Sequence, residues 1–182
     1  MFVQTEDTPN PATLKFIPGI PVMTAGTVEF TSAEKAERSP LARRLFGIAG
    51  VKRIFFGADF ITVTKESERE WQVMKPAILG AIMEHFTSGR AVVEEVSSNS
   101  PALSDDDDDI VRQIKDLLES RVRPAVAADG GDIVFDRFEE GIVYLEMRGA
   151  CSGCPSSLAT LKMGIENMLR HYVPEVIEVR AA

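Results

Sequence analysis

The sequence predicts an α+β protein of two small domains joined by an acidic linker, and three observations predict it. Its 182 residues suffice for one ordinary domain or two small ones. Ser97-Ser-Asn-Ser-Pro-Ala-Leu-Ser-Asp-Asp-Asp-Asp-Asp109 is polar, carries a proline and ends in five adjacent like charges, the composition of a solvated linker. On either side, short runs of strand type alternate with longer runs whose apolar residues recur at three- and four-residue steps. The expected boundaries are 1–96 for the N-terminal domain, 97–109 for the linker and 110–182 for the C-terminal domain. Five aspartates could instead suggest calcium, but they lack the spacing of a calcium loop and adjacent carboxylates point different ways.

In the first domain, Ala12-Thr-Leu-Lys-Phe-Ile17 and Thr27-Val-Glu-Phe-Thr31 are short strand candidates separated by proline and glycine. A short helix is expected over Leu41–Phe46, entered through Ser39-Pro40 and stopped by Gly47. Proline suits that entry because its missing N–H would have no partner in a first turn. Val51–Phe56 and Phe60–Thr64 flank Gly57-Ala-Asp59 and predict a β-hairpin. Trp71, Met74, Ile78, Ile82 and Phe86 then step through a helix ending near Gly89. This half offers no nucleophile–base pair and no ligand cluster. His85 reads as a packing or surface residue, and Trp71 and Met74 read as core.

In the second domain a helix is expected from about Ile110, with Ile110, Ile114, Leu117, Leu118 and Val122 as its buried stripe and Pro124 as its end. The aspartates before it suit the positive pole of that helix. Ala127–Asp132 reads as a turn, and Ile133–Phe138 pairs with Ile142–Arg148 through Glu139-Glu-Gly141. Alternation puts Val143, Leu145 and Met147 on one face. A second helix carries Leu158, Leu161, Ile165, Met168, Leu169 and Tyr172 as its stripe, with Pro155 in its first turn, and Glu175–Arg180 supplies a third strand. The order α-β-β-α-β predicts a three-stranded sheet covered by two helices on one face. About 70 residues make a marginal core, which a metal or a partner subunit would help to stabilise.

Composition excludes several classes of function. No apolar run approaches the roughly 20 residues of a membrane-spanning helix, and the first residues lack the features of a secretory signal or an Arg-rich transit peptide. The net charge of −8, five units of it on Asp105–Asp109, argues against nucleic-acid binding, which rests on basic patches. The expectation is a cytoplasmic protein with neither a membrane nor a nucleic acid as partner.

Gly149-Ala-Cys-Ser-Gly-Cys-Pro-Ser-Ser157 holds the only two cysteines of the chain, Cys151 and Cys154, between a strand and a helix. Gly149 and Gly153 allow a tight bend there. A helix N-terminus would favour the thiolate at both sulfurs. In a reducing compartment four readings stay open from the residues: thiol–disulfide exchange, half of a tetrahedral zinc site, two of four thiolates around an iron–sulfur cluster, and two ordinary thiols. A metal site wants four ligands. His171 lies on the same expected helix, roughly 25 Å beyond Cys154 at about 1.5 Å per residue, and cannot complete the set. A metal reading therefore calls for a second copy of the chain or for a partner that donates the missing ligands.

Asp129-Gly-Gly-Asp132, the strand pair, and Gly149-Ala-Cys-Ser-Gly-Cys-Pro-Ser-Ser-Leu-Ala-Thr-Leu-Lys-Met-Gly-Ile-Glu166 together resemble the C-terminal domain of NifU-type iron–sulfur scaffold proteins. The first half, with Thr8-Pro-Asn-Pro-Ala-Thr-Leu-Lys-Phe16, resembles the N-terminal domain that precedes it in the Nfu family. The resemblance implies a scaffold or carrier, not an enzyme, whose Cys151 and Cys154 bind a [4Fe-4S] cluster between the two subunits of a homodimer. It further implies apo iron–sulfur proteins as recipients, upstream cluster-assembly proteins as donors, and an N-terminal domain that helps to recognise them. The rival from the enzyme class is a thiol–disulfide oxidoreductase using the same two sulfurs, whose usual motif lies near the start of a βαβ unit rather than late in a chain after a hairpin. A structural zinc dimer is the other alternative.

Overall fold

Alternate residues of short strands fix where each core lies. The computed structural model describes residues 2–24, 26–94, 108–151 and 155–182, with backbone only for 155–158, and the chain divides into two units, Met1–Asn99 and Ser100–Ala182.

The first unit contains β1 (Gln4–Asp7), β2 (Thr13–Ile17), β3 (Val28–Phe30), β4 (Val51–Phe56) and β5 (Ile61–Lys65). They form one sheet in the order β1-β2-β5-β4-β3, antiparallel throughout. Leu14, Phe16, Phe30, Ile54, Phe56, Ile61 and Val63 come from alternate strand positions. They share a core with Leu41 and Leu45 of α1 (Pro40–Phe46) and with Met74, Ile78 and Ile82 of α2 (Trp71–Thr87). The Ser39 hydroxyl caps α1 by accepting from the Ala42 N–H at 3.1 Å, as its place before Pro40 suggests. Met74 is buried as expected, whereas Trp71 is half-buried and its indole N–H donates to the Pro11 carbonyl at 3.2 Å. His85 is buried. Strand β1 is not legible in the pattern. Gln-Thr-Glu-Asp is polar and mostly exposed, and a sheet edge held by main-chain pairing to β2 needs no apolar alternation.

The second unit runs α3 (Asp109–Leu117), a π-helical turn over Leu118–Val122, α4 (Arg123–Ala128), β6 (Gly131–Glu139), β7 (Ile142–Gly149), α5 (Pro155–Tyr172) and β8 (Glu178–Ala181). Its three-stranded sheet has the order β6-β7-β8. β6 and β7 form an antiparallel hairpin, and α5 crosses over so that β8 lies parallel to β7, the connection that parallel neighbours require. Ile133, Val143, Leu145 and Val179 of the sheet share one core with two helical stretches. Ile114, Leu118, Val122 and Val126 come from the stretch before the hairpin, Ile165 and Leu169 from the one after it, and Val173 follows directly on its end. This is the α+β architecture the element order predicts.

Three expectations are corrected here. Pro124 does not end the first helix, which continues as α4 to Ala128. The π turn resets the helical register, so Pro124 falls at the start of α4, where its missing N–H is not needed. The turn before β6 is correspondingly shorter than Ala127–Asp132. Tyr172 leaves the α5 stripe and is 47% exposed, with the Arg121 guanidinium 5.0 Å from its ring centroid, and Val173 takes its place in the core. Asp109, placed in the expected linker, opens α3, while residues 97–107 lie outside the described residues.

Candidate metal centre

The two glycines that flank β6 and β7 set up the seat of the Cys151 sulfur. β7 ends at Gly149, whose φ of +67° is a left-handed conformation that favours glycine. The chain then turns through the buried Ala150 and Cys151, the latter only 7% exposed, and α5 begins at Pro155. The motif thus bridges a strand and a helix as the sequence predicts. Ser152, Gly153 and the second expected ligand, Cys154, lie outside the described residues.

Opposite Cys151 lies the start of β6. Gly131 pairs with Gly149 in register, and the Ala150 N–H donates to the Gly130 carbonyl at 3.2 Å. A Cβ on Gly131 would stand 2.5 Å from the Cys151 Sγ, 2.9 Å from the Arg148 carbonyl oxygen and 3.1 Å from the Cys151 nitrogen. The sulfur therefore rests directly on glycine backbone, in a space that any side chain would fill.

One residue further on, Asp132 is 3% exposed. Its carboxylate accepts from Arg123 through Nε to Oδ1 at 2.9 Å and Nη2 to Oδ2 at 3.1 Å, and Oδ1 also accepts from the Ile133 N–H at 2.9 Å. Arg123 bonds Glu119 with its remaining arm. Such a two-armed fork fixes direction as well as distance. Arg148 and Lys162 pair with surface carboxylates, at 3.0 Å from Glu146 and 3.7 Å from Glu178 respectively.

The electrostatics overturn one expectation. Burial, reinforced by the negative charges of Asp129 and Asp132, pushes the Cys151 thiol up to about 11, not down. Cys151 precedes the first residue of α5 by several positions, and the dipole of a helix falls off beyond its end turn, so desolvation wins. His171 sits at the far end of α5, as its distance along the helix requires. Among the described residues, no group of three or more His, Cys, Asp and Glu side chains is placed to hold a metal ion. The donor offered near Gly131 is a single buried sulfur, which suits a soft, thiolate-bound metal and is half of a pair at most. The sequence signals Cys151 clearly. It does not signal that Gly131 lies against it or that Arg123 grips Asp132 next to that glycine, although the Asp-Gly-Gly-Asp turn stands out in it.

Comparison with known proteins bears on this architecture. Residues 3–89 match the family model described as scaffold protein Nfu/NifU N terminal, and residues 114–180 match the NifU-like domain. The chain is 54% identical over 177 residues to the human NFU1 iron-sulfur cluster scaffold homolog, mitochondrial, covering 97% of this chain and 70% of that one. It is 51% identical over 181 residues to the protein of the same name from Drosophila persimilis, covering 98% of this chain and 64% of that one, so it spans less than two thirds of the fly relative. A solution structure of a NifU-like protein from Saccharomyces cerevisiae overlaps 53% of this chain and 87% of that one, with a TM-score of 0.49 and 23% identity. No helix among the described residues is long and apolar enough to cross a membrane. The human and fly relatives are named mitochondrial, which does not match the cytoplasmic setting expected from the sequence. On its identity to the human protein across nearly its whole length, the chain belongs to the Nfu family of iron–sulfur cluster scaffold proteins.

Proposed function

We propose that this protein carries a [4Fe-4S] cluster as cargo between two copies of itself, bound through Cys151 and Cys154 of each, and hands it to apo iron–sulfur proteins. The observation that supports this best is ligand arithmetic. The chain has two cysteines in all, and the described surroundings of Cys151 hold no group of residues able to complete a metal site, whereas a cubane cluster takes four thiolates. A two-fold axis through the motif supplies them.

The chain's own residues have three tasks in this reading. β7 and α5 bracket the motif, and Cys151 lies two residues past the end of β7. Gly131 leaves room for the Cys151 sulfur. A site with only two ligands per copy lets an incoming thiolate of the recipient replace one cysteine sulfur at a time, each displaced sulfur leaving with its electron pair. Upstream assembly proteins donate the cluster, the N-terminal unit recognises donors or recipients, and the segment over 97–108 acts as the linker between the two units. No enzymatic turnover is invoked. Thiol–disulfide exchange is the rival reading, and its usual motif lies near the start of a βαβ unit rather than late in a chain after a hairpin. The mitochondrial names of the relatives favour that setting.

Anaerobic reconstitution of the full chain, followed by metal and sulfide analysis, Mössbauer spectra and native mass, tests the reading. About four irons and four sulfides per dimer are expected, with loss of the cluster in Cys151→Ser and in Cys154→Ser. A cluster retained by the double variant, or a monomer as the stable loaded species, would overturn it.

A further inference from the structure

Asp132 is the only acidic side chain among the described residues that is buried, and cluster binding by the cysteines assigns it no task. Replacing a buried ion pair by apolar residues of similar volume is often neutral or stabilising, so the retained charges call for a role in placement. The contacts around it form a continuous chain. Glu119 holds one arm of Arg123, and the rest of the guanidinium grips both oxygens of Asp132 at 2.9 and 3.1 Å. The Asp132 carboxylate takes the N–H of Ile133 at 2.9 Å, which pins the first residues of β6 to α4. Gly131, the next residue back, carries the Cys151 sulfur on its backbone. Gly130 accepts the Ala150 N–H at 3.2 Å. Anything that lets the start of β6 swing moves the surface on which the sulfur rests.

We infer that the Arg123–Asp132 pair is the positioning device of Cys151: by clamping β6 to α4 it holds the glycine turn under the sulfur and sets how readily that sulfur leaves its seat. Resting on the reading of Cys151 as a cluster ligand, the inference extends to cargo, since a sulfur that swings away more often releases its metal sooner. Neither Arg123 nor Asp132 is a ligand. Both act through Gly131.

The test uses the full chain with Arg123→Lys and Asp132→Asn. Lysine keeps the charge but loses the two-armed fork, and asparagine keeps the shape but loses one acceptor. In reduced, metal-free protein carrying Cys154→Ser, alkylation of Cys151 by iodoacetamide, followed by mass, should quicken about tenfold or more in both variants, the size expected when a buried charged hydrogen bond is broken. Arg123→Lys decides, because it leaves the negative charge of Asp132 in place beside the thiol. Val179→Ala is the comparator. Val179 is fully buried on β8, so its truncation destabilises the same unit without touching the clamp. It should lower the melting temperature and leave the alkylation rate nearly unchanged. With both cysteines present and the cluster reconstituted, the half-life of release to an iron chelator should shorten in the same order as the alkylation rates rise. Unchanged alkylation in Arg123→Lys, or an equal rise in Val179→Ala, would refute the inference even if the cluster loads normally. Faster alkylation in the clamp variants alone, in a parent that loads no cluster, would uphold the positioning role and sink the ligand reading instead.

Discussion

Gly131→Ala puts the seat of the sulfur under the most direct stress. The added methyl would meet the Cys151 Sγ at 2.5 Å, the Arg148 carbonyl oxygen at 2.9 Å and the Cys151 nitrogen at 3.1 Å, whereas heavy atoms pack comfortably at roughly 3.5–4.0 Å. The sulfur could rotate away, but the other two atoms are main chain at the end of β7, and Gly131 pairs there with Gly149. Relief requires the end of the hairpin to open. Overpacking of this kind costs about 1–3 kcal/mol, while removing a glycine from the unfolded chain returns about 0.4–1 kcal/mol. A net loss of about 1–2 kcal/mol remains, which in a domain of this size lowers the melting temperature by roughly 5–15 °C. Gly164→Ala is the matched control, because its Cβ would meet nothing within 4 Å in the interior of α5. It should stabilise the same unit by up to about 1 kcal/mol. Thermal unfolding of the reduced, metal-free full chain followed by far-ultraviolet circular dichroism reads both. The single tryptophan, Trp71, lies in the first unit, so its fluorescence melt reports that unit separately. If Gly131→Ala melts at or above the parent temperature, or if Gly164→Ala falls as far, the tight seat described for Cys151 is not there.

Two further predictions concern the first unit and use the same fluorescence melt. Ser39 is fully buried, caps α1 through the Ala42 N–H and donates to the Val92 carbonyl at 2.5 Å. Ser39→Ala should therefore cost about 2 kcal/mol, the sum of a lost cap and a buried carbonyl left without its donor, and a loss under about 0.5 kcal/mol would contradict this. Burial, with a contribution from the nearby Arg44 and Arg90 charges, holds His85 below its ordinary value of 6.5, and its Nε2 is buried with no hydrogen-bond partner. The unfolded chain then binds a proton that the folded chain resists, so stability is present above 6.5 and is lost as the pH falls below it. His85→Leu should flatten the decline in melting temperature between about pH 7 and pH 5, and an unchanged slope would show that other groups cause it.

The elements legible in the sequence are those whose burial is written in local spacing. Val143 and Leu145 alternate into the core, and Ile165 and Leu169 recur at helical spacing, so periodicity alone identifies β7 and α5. β1 escapes it, because Gln4–Asp7 buries almost nothing and is a strand only through its pairing with β2. The continuation of the helix past Pro124 is equally hidden, since a shift of register through Leu118–Val122 leaves no mark on the apolar stripe. Within the site, the motif identifies Cys151, but its place near a helix N-terminus suggests an easily ionised thiol. The opposite direction follows from burial and from Asp129 and Asp132, which sit some twenty residues earlier and reach Cys151 only through the hairpin.

The order of residues on its own dictates the two α+β halves, the strand-to-helix setting of Cys151 and a count of two cysteines in all. Those properties depend on neighbours along the chain, on spacing and on a count of sulfurs. Folding in three dimensions places Gly131 under the sulfur, fastens Asp132 to Arg123 beside it, and buries the thiol deeply enough to resist ionisation. Each of these joins residues from different elements, and pairing between strands and helices far apart in the chain is set by how the whole core packs, which no short stretch encodes.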